Sequence, residues 1–125
     1  MLTCLYVGFG GFIGSVFRYL INVFSPSLTM AFPFVTMFIN FFGSFLIGAI
    51  TVFSAKIIPI EPRLMLMLTV GICGGFTTFS TFSLEVMNLL ENGKFLLGTS
   101  YAILSILVCL LGVYLGRLLI LAFAN

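Results

Sequence analysis

The sequence predicts an all-α integral membrane protein with four transmembrane helices, and three observations carry that reading. The chain of 125 residues is 62% hydrophobic and 6% charged, with a mean hydropathy of +1.33, which leaves too few polar side chains to cover a water-facing surface. Its apolar residues gather into four windows, roughly Leu2 to Phe24, Phe34 to Ala55, Leu64 to Leu90 and Phe95 to Phe123. Each reaches the ~20 residues a helix needs to cross a bilayer. Between them lie short connectors with the Pro, Asn and Gly punctuation of helix ends: Ser25-Pro26-Ser27 and its neighbours, Lys56 to Arg63, and Glu91-Asn92-Gly93-Lys94. Spans and connectors use nearly the whole chain, so residues 1–125 are expected to form a single four-helix transmembrane domain.

The first span has no basic stretch ahead of it and no small-residue cleavage site after it, so it reads as a retained helix and not as a signal peptide. Within it Gly11, Ser15, Arg18 and Asn22 recur at three- and four-residue steps and share a face. A guanidinium at membrane depth costs free energy unless it faces a partner or water. Arg18 is also near enough to its helix end to snorkel to the headgroups. The second span carries a similar stripe of Thr36, Asn40, Ser44, Gly48 and Thr51, in which the Asn40 amide again asks for a partner.

The third span is longer than crossing requires and holds the most unusual run, Gly74-Gly75-Phe76-Thr77-Thr78-Phe79-Ser80-Thr81-Phe82-Ser83, with five hydroxyls inside an apolar window. Gly71, Gly74 and Gly75 permit the backbone to leave helical geometry, and Thr77, Thr78 and Ser80 are suitable N-caps for a helix that restarts. The expected object is a broken helix, whose unpaired main chain survives only where protein or water satisfies it. Exposed carbonyls at such a break can hold a cation, and broken membrane helices mark ion or substrate sites. Beyond the break Phe79 and Phe82 share a face, interleaved with Ser80 and Thr81. Positive ring edges and donating hydroxyls together suit a small anion, held weakly enough to leave again. Glu85, four residues past Thr81, is the single carboxylate inside a span, and the sequence leaves it open as a proton carrier, a gate or a residue of the helix end.

The fourth span repeats the pattern with Tyr101, Ser105, Cys109, Gly112 and Gly116. The pairs Gly10 with Gly14, Gly71 with Gly75 and Gly112 with Gly116 have the spacing by which membrane helices approach closely. Three scattered cysteines, Cys4, Cys73 and Cys109, argue against a disulfide framework or a metal cluster and read as small packing residues. The chain has no histidine, and a net charge of +2 spread over separate connectors does not describe a nucleic-acid surface.

Cations are nearly balanced across the membrane. Four helices place Lys56, Arg63 and Arg117 on one side against Arg18 and Lys94 on the other, three to two. A bias that small is compatible with insertion in one orientation or in both. If both occur, the natural assembly is an antiparallel two-fold dimer.

The run from Gly74 to Ser83 followed by Glu85, with Arg18 in the first span and Asn40 in the second, resembles the Fluc (CrcB) family of small bacterial fluoride channels. The likeness extends over the whole chain in length, number of spans and order of motifs. It implies an antiparallel, dual-topology homodimer in the cell (inner) membrane, among lipid, with two fluoride pores and a structural sodium ion at its centre. The positions matching the sodium-holding backbone carbonyls are Gly74 and Thr77; those matching the pore phenylalanines are Phe79 and Phe82, with Asn40 as a nearby amide donor. Ser80, Thr81, Tyr101 and Ser105 match the polar track, Thr36 a vestibule position, Glu85 the family glutamate, and Arg18 the arginine that draws anions in. Cys109 stands where some relatives carry serine. The implied function is passive, fluoride-selective export without catalysis.

Two other classes are weighed. A small dual-topology proton-coupled exporter has four short helices but depends on a carboxylate in its first helix, and the first span here contains none. A small membrane kinase needs several acidic residues for magnesium and phosphate, whereas Glu61, Glu85 and Glu91 are few and dispersed.

Overall fold

The structure, a computed structural model, describes residues 1–25 and 32–124. Most of the connector predicted around Ser25-Pro26-Ser27 lies outside the described residues. Helix α1 runs Leu2–Phe24 and α2 runs Phe34–Lys56; the third span begins with α3, Pro62–Leu66, and the fourth is α6, Phe95–Ala124. The four long apolar stretches Leu2–Phe24, Phe34–Lys56, Pro62–Glu91 and Phe95–Ala124 are each able to cross a membrane. The protein is therefore a multi-pass membrane protein, with apolar windows and helices agreeing to within about two residues at every end.

The third span is not uniform. After α3 the chain widens into a π-helical segment, Met67–Cys73, tightens into one short turn, α4, Gly74–Phe76, and becomes extended at Thr77 (φ −75°, ψ 160°) and Thr78 (φ −149°, ψ 112°). Helix α5, Phe79–Glu91, follows. The glycines do not supply the departure from helical geometry, contrary to the expectation from sequence. Gly74 keeps a helical φ of −66° and ψ of −38°, and the two extended residues are threonines. Threonine fits because its branched side chain favours extended backbone and its hydroxyl can cap the next helix. Thr78 Oγ1 does so, accepting from the Thr81 N–H at 3.1 Å.

The glycines have another task. A Cβ at Gly10 would strike the Met67 carbonyl oxygen, one at Gly14 the Ile72 carbonyl oxygen, and one at Gly75 would lie 2.7 Å from the Gly11 oxygen. Helix α1 and the first half of the third span therefore meet backbone to backbone, as small residues at four-residue spacing allow. A second seam joins α2 to α6, where Gly48 faces the main chain of Val113, Gly112 that of Phe41, and Gly116 that of Phe45. Val35, Ile39 and Phe76, with Ile21 against them, form the buried apolar cluster between these seams. Large apolar side chains such as Phe9, Phe12, Leu107 and Leu110 point outward, as lipid permits.

The connectors are capped locally. Glu61 accepts from the Leu64 N–H at 3.0 Å ahead of Pro62, a residue that lacks the N–H a first helical position leaves unused. Helix α5 ends on Gly93 at φ +73°, with Gly93 N–H donating to Leu90 and Lys94 N–H to Leu89, a left-handed cap that glycine adopts without strain.

Candidate functional site

The extended pair Thr77–Thr78 is held from two sides. Asn40, on α2, receives the Thr78 N–H on its Oδ1 at 2.7 Å and donates its Nδ2 to the Thr78 carbonyl at 3.1 Å. The amide thus replaces the main-chain acceptor that the Thr78 N–H lost by leaving the helix, an absence that would otherwise cost about 1–3 kcal/mol, and it adds a donor to the Thr78 carbonyl, the N-cap oxygen of α5. From α1, Arg18 donates its Nε to the Gly75 carbonyl at 3.1 Å, and Asn22 Nδ2 in turn donates to the Arg18 carbonyl at 2.8 Å. The two polar side chains that looked costly at membrane depth therefore both serve the same stretch of main chain.

The carbonyls of Gly74 and Thr77 are among those of this stretch that lose their regular helical donors. The Thr78 N–H that would reach Gly74 goes to Asn40, and the Thr81 N–H that would reach Thr77 goes to Thr78 Oγ1. Gly74 is also exposed on the surface of the protomer. Around this point Thr78 Oγ1 donates to Thr81 Oγ1 at 3.0 Å and lies 3.4 Å from Ser80 Oγ, while Thr77 Oγ1 and Ser83 Oγ bond back to Cys73 and Phe79 within their own helical turns.

Beside it opens a cavity of about 400 Å³ between α2, α5 and α6. Asn40, Ser44, Thr77, Thr78, Phe79, Phe82, Ser105 and Cys109 supply its polar and aromatic lining, and no charged side chain is among the lining residues. Ser105 is 4% exposed and its Oγ has no hydrogen-bond partner among the described residues. A buried hydroxyl of that kind wants a ligand or water. The rings of Phe79 and Phe82 stand 5.4 Å apart, centroid to centroid, and Phe82 stands 5.3 Å from Tyr101.

Tyr101 leads to a third group that sequence spacing did not assemble. Glu85 accepts from Thr36 Oγ1 through Oε1 and from the Tyr101 hydroxyl through Oε2, both at 2.7 Å. Three helices thus contribute one residue each, and Phe32 closes edge-on against Tyr101 at 5.3 Å. The expected site residues accordingly fall into neighbouring clusters: Asn40, Phe79, Phe82 and Ser105 on the cavity; Thr36, Glu85 and Tyr101 next to it through Phe82; Ser80 and Thr81 around Thr78. Arg18 and Gly74 lie away from the cavity lining, at the main-chain bend. Ser44 and Cys109 belong to the lining, although Ser44 was expected only as a member of a helix stripe and Cys109 was read as a small packing residue. Their spacing of four from Asn40 and from Ser105 was the available signal. Among the described residues no cluster of His, Cys, Asp or Glu could hold a metal.

Fold and site define a class: a four-span membrane protein whose helices enclose hydroxyl, amide and ring-edge donors in place of fixed charge. Within that class the chain belongs to the family described as CrcB-like protein, Camphor Resistance (CrcB), whose profile matches residues 5–117. It is similar to the "Fluoride-specific ion channel FluC" of Ruminiclostridium cellulolyticum, 48% identical over 120 residues that cover 95% of this chain and 92% of that protein. Proteins of the same description from Elusimicrobium minutum (46% over 112 residues, 88% and 86% covered) and Methanococcus aeolicus (36% over 119 residues, 95% of each) are also similar.

Proposed function

We propose that the chain is a fluoride-selective channel that lets cytoplasmic fluoride leave passively down its gradient, working as an antiparallel, dual-topology homodimer with two pores. The observation that carries this reading is the cavity lining, which offers an unpartnered buried Ser105 hydroxyl, the Phe79 and Phe82 rings and the Asn40 amide without a charged group. Relatives that share 36–48% identity and bear a fluoride-channel description support the choice of ion.

The chemistry follows from the donors. Fluoride is small and strongly hydrated, so a dry passage must replace its water with closely spaced donors. Hydroxyl hydrogens, an amide N–H and the positive edges of phenyl rings do so one after another, each weakly enough to release the ion. Chloride is larger and gains less from each donor. Thr36, Glu85 and Tyr101 form a hydrogen-bonded group next to Phe82, in which both hydroxyls donate to the carboxylate, and Arg18 supplies positive charge without entering the lining. No nucleotide or covalent intermediate enters this scheme.

Dimerisation is supported by what one protomer leaves bare. Gly74, Ser80 and Phe79, the last 78% exposed, lie together near the middle of a membrane span. Main-chain and hydroxyl-bearing residues exposed at that depth need a partner surface, and a second copy in the opposite sense provides one. The Gly74 and Thr77 carbonyls fit a sodium ion at that junction: they are neutral oxygens freed of their helical donors, the ligand type that hard cations take. When bound, the ion would offset the negative carbonyl end of the first half of the span.

The deciding experiment uses liposomes that contain this polypeptide alone, loaded with potassium fluoride or potassium chloride and followed with ion-selective electrodes. Fluoride efflux without nucleotide or an imposed proton gradient is the expected result. Comparable release of chloride would overturn selectivity, and dependence on a proton gradient would favour coupled export.

A further inference from the structure

Cys109 is the cysteine that the packing reading does not fit. Cys73 is 2% exposed beside the glycine seam and Cys4 lies on the outer surface of α1, whereas Cys109 lines the cavity together with Asn40, Ser44 and Ser105. It follows Ser105 by one helical turn, so the thiol and the unpartnered, 4%-exposed hydroxyl lie along the same face of α6. A buried hydroxyl left without a partner marks this part of the cavity as a place where water or an ion completes the hydrogen bonding. A thiol on that face shares its access to water. The cavity, at about 400 Å³, has the size of sites that hold small organic molecules.

We infer that Cys109 is a modification site on the ion passage, at which a small, water-borne, thiol-directed electrophile forms a covalent adduct and closes the pore. The inference rests on the channel reading above and adds a ligand class to it. The probe is 2-(trimethylammonium)ethyl methanethiosulfonate, whose permanent charge keeps it out of lipid. The Cys109 sulfur, having given its proton to buffer, attacks the sulfenyl sulfur of the reagent. A disulfide bond forms, the bond to the sulfonyl sulfur breaks, and methanesulfinate leaves with the electron pair. A trimethylammonium group then occupies the space beside Ser105.

The test uses liposomes of the Cys4→Ala protein, with each fluoride efflux rate compared to its own untreated value. The reagent should lower efflux at least tenfold, dithiothreitol should restore it, and high fluoride should slow the modification. Cys4→Ala/Cys109→Ser protein should be unaffected, and peptide mass spectrometry should place one adduct per chain on Cys109. An unlabelled Cys109 after prolonged exposure would overturn the inference by showing that the thiol has no aqueous access; an adduct on Cys109 with unchanged flux would overturn it by placing the thiol off the passage. If the untreated protein carries no fluoride, the channel reading fails, while the labelling result still decides whether water reaches Cys109.

Discussion

The two halves of the third span use the same chain in opposite ways. Before Thr77, glycines press the main chain against α1 so closely that a single methyl group would collide with Ile72, Met67 or Gly11. After Thr78 no residue of α5 is buried; Phe79 and Phe82 face α2 and α6 across a cavity, and Glu85 reaches both helices through side-chain hydrogen bonds. Both halves lie in one apolar window with similar claims on the bilayer. What separates them is whether side chains or main chains make the contact, and so whether space is left for something that is not protein.

If the sealed half is as tight as its geometry states, the largest effect comes from filling it. Gly14→Leu should cost more than about 3 kcal/mol, because the side chain meets backbone atoms of Ile72 and Phe76 that cannot move aside without shifting the whole span. Thermal unfolding of the detergent-purified variant measures this, and a native midpoint would break the comparison. In the open half a substitution that shortens a side chain should do the reverse. Phe82→Ile should lower fluoride efflux at least tenfold while stability changes by less than about 1.5 kcal/mol, and unchanged flux would move the passage away from these rings.

The Thr36–Glu85–Tyr101 group sharpens the contrast at smaller scale. Tyr101→Phe removes the donor to Glu85 Oε2 and Thr36→Val the donor to Oε1. Each should destabilise by about 1–3 kcal/mol, since a part-buried carboxylate loses a hydrogen bond. A double-mutant cycle between them should show coupling of about 0.5–3 kcal/mol; strict additivity would mean that the carboxylate does not link the two helices. The smallest effect belongs to the cap. Thr78→Ala should cost about 1 kcal/mol as the Thr81 N–H loses its acceptor, and Thr78→Ser should recover most of it.

Much of this was readable before any coordinates. Apolar windows located the four spans, and the Asn-Gly punctuation after Glu91 anticipated the left-handed cap at Gly93. Helical spacing put Ser105 and Cys109 on one stripe, and Phe79 and Phe82 on another. Other features were not readable. The π-helical segment Met67–Cys73 is one, since nothing in its residue types distinguishes it from an ordinary helical turn. Arg18 and Asn40 were recognised as needing partners, yet nothing local named the Gly75 carbonyl or the two main-chain groups of Thr78, which lie 57 and 38 residues away in the chain.

The amino-acid order alone determined that this protein lives in a membrane, where its helices begin and end, and which short run would be polar at depth. These are matters of transfer free energy and periodicity, and both are local sums over neighbouring residues. Tertiary structure alone decided which helix each polar group would satisfy, where glycine would close a seam, and where a gap would remain beside Ser105. Those outcomes depend on the mutual placement of distant helices, since in hydrocarbon a hydrogen-bonding group must find its partner wherever packing brings one within reach.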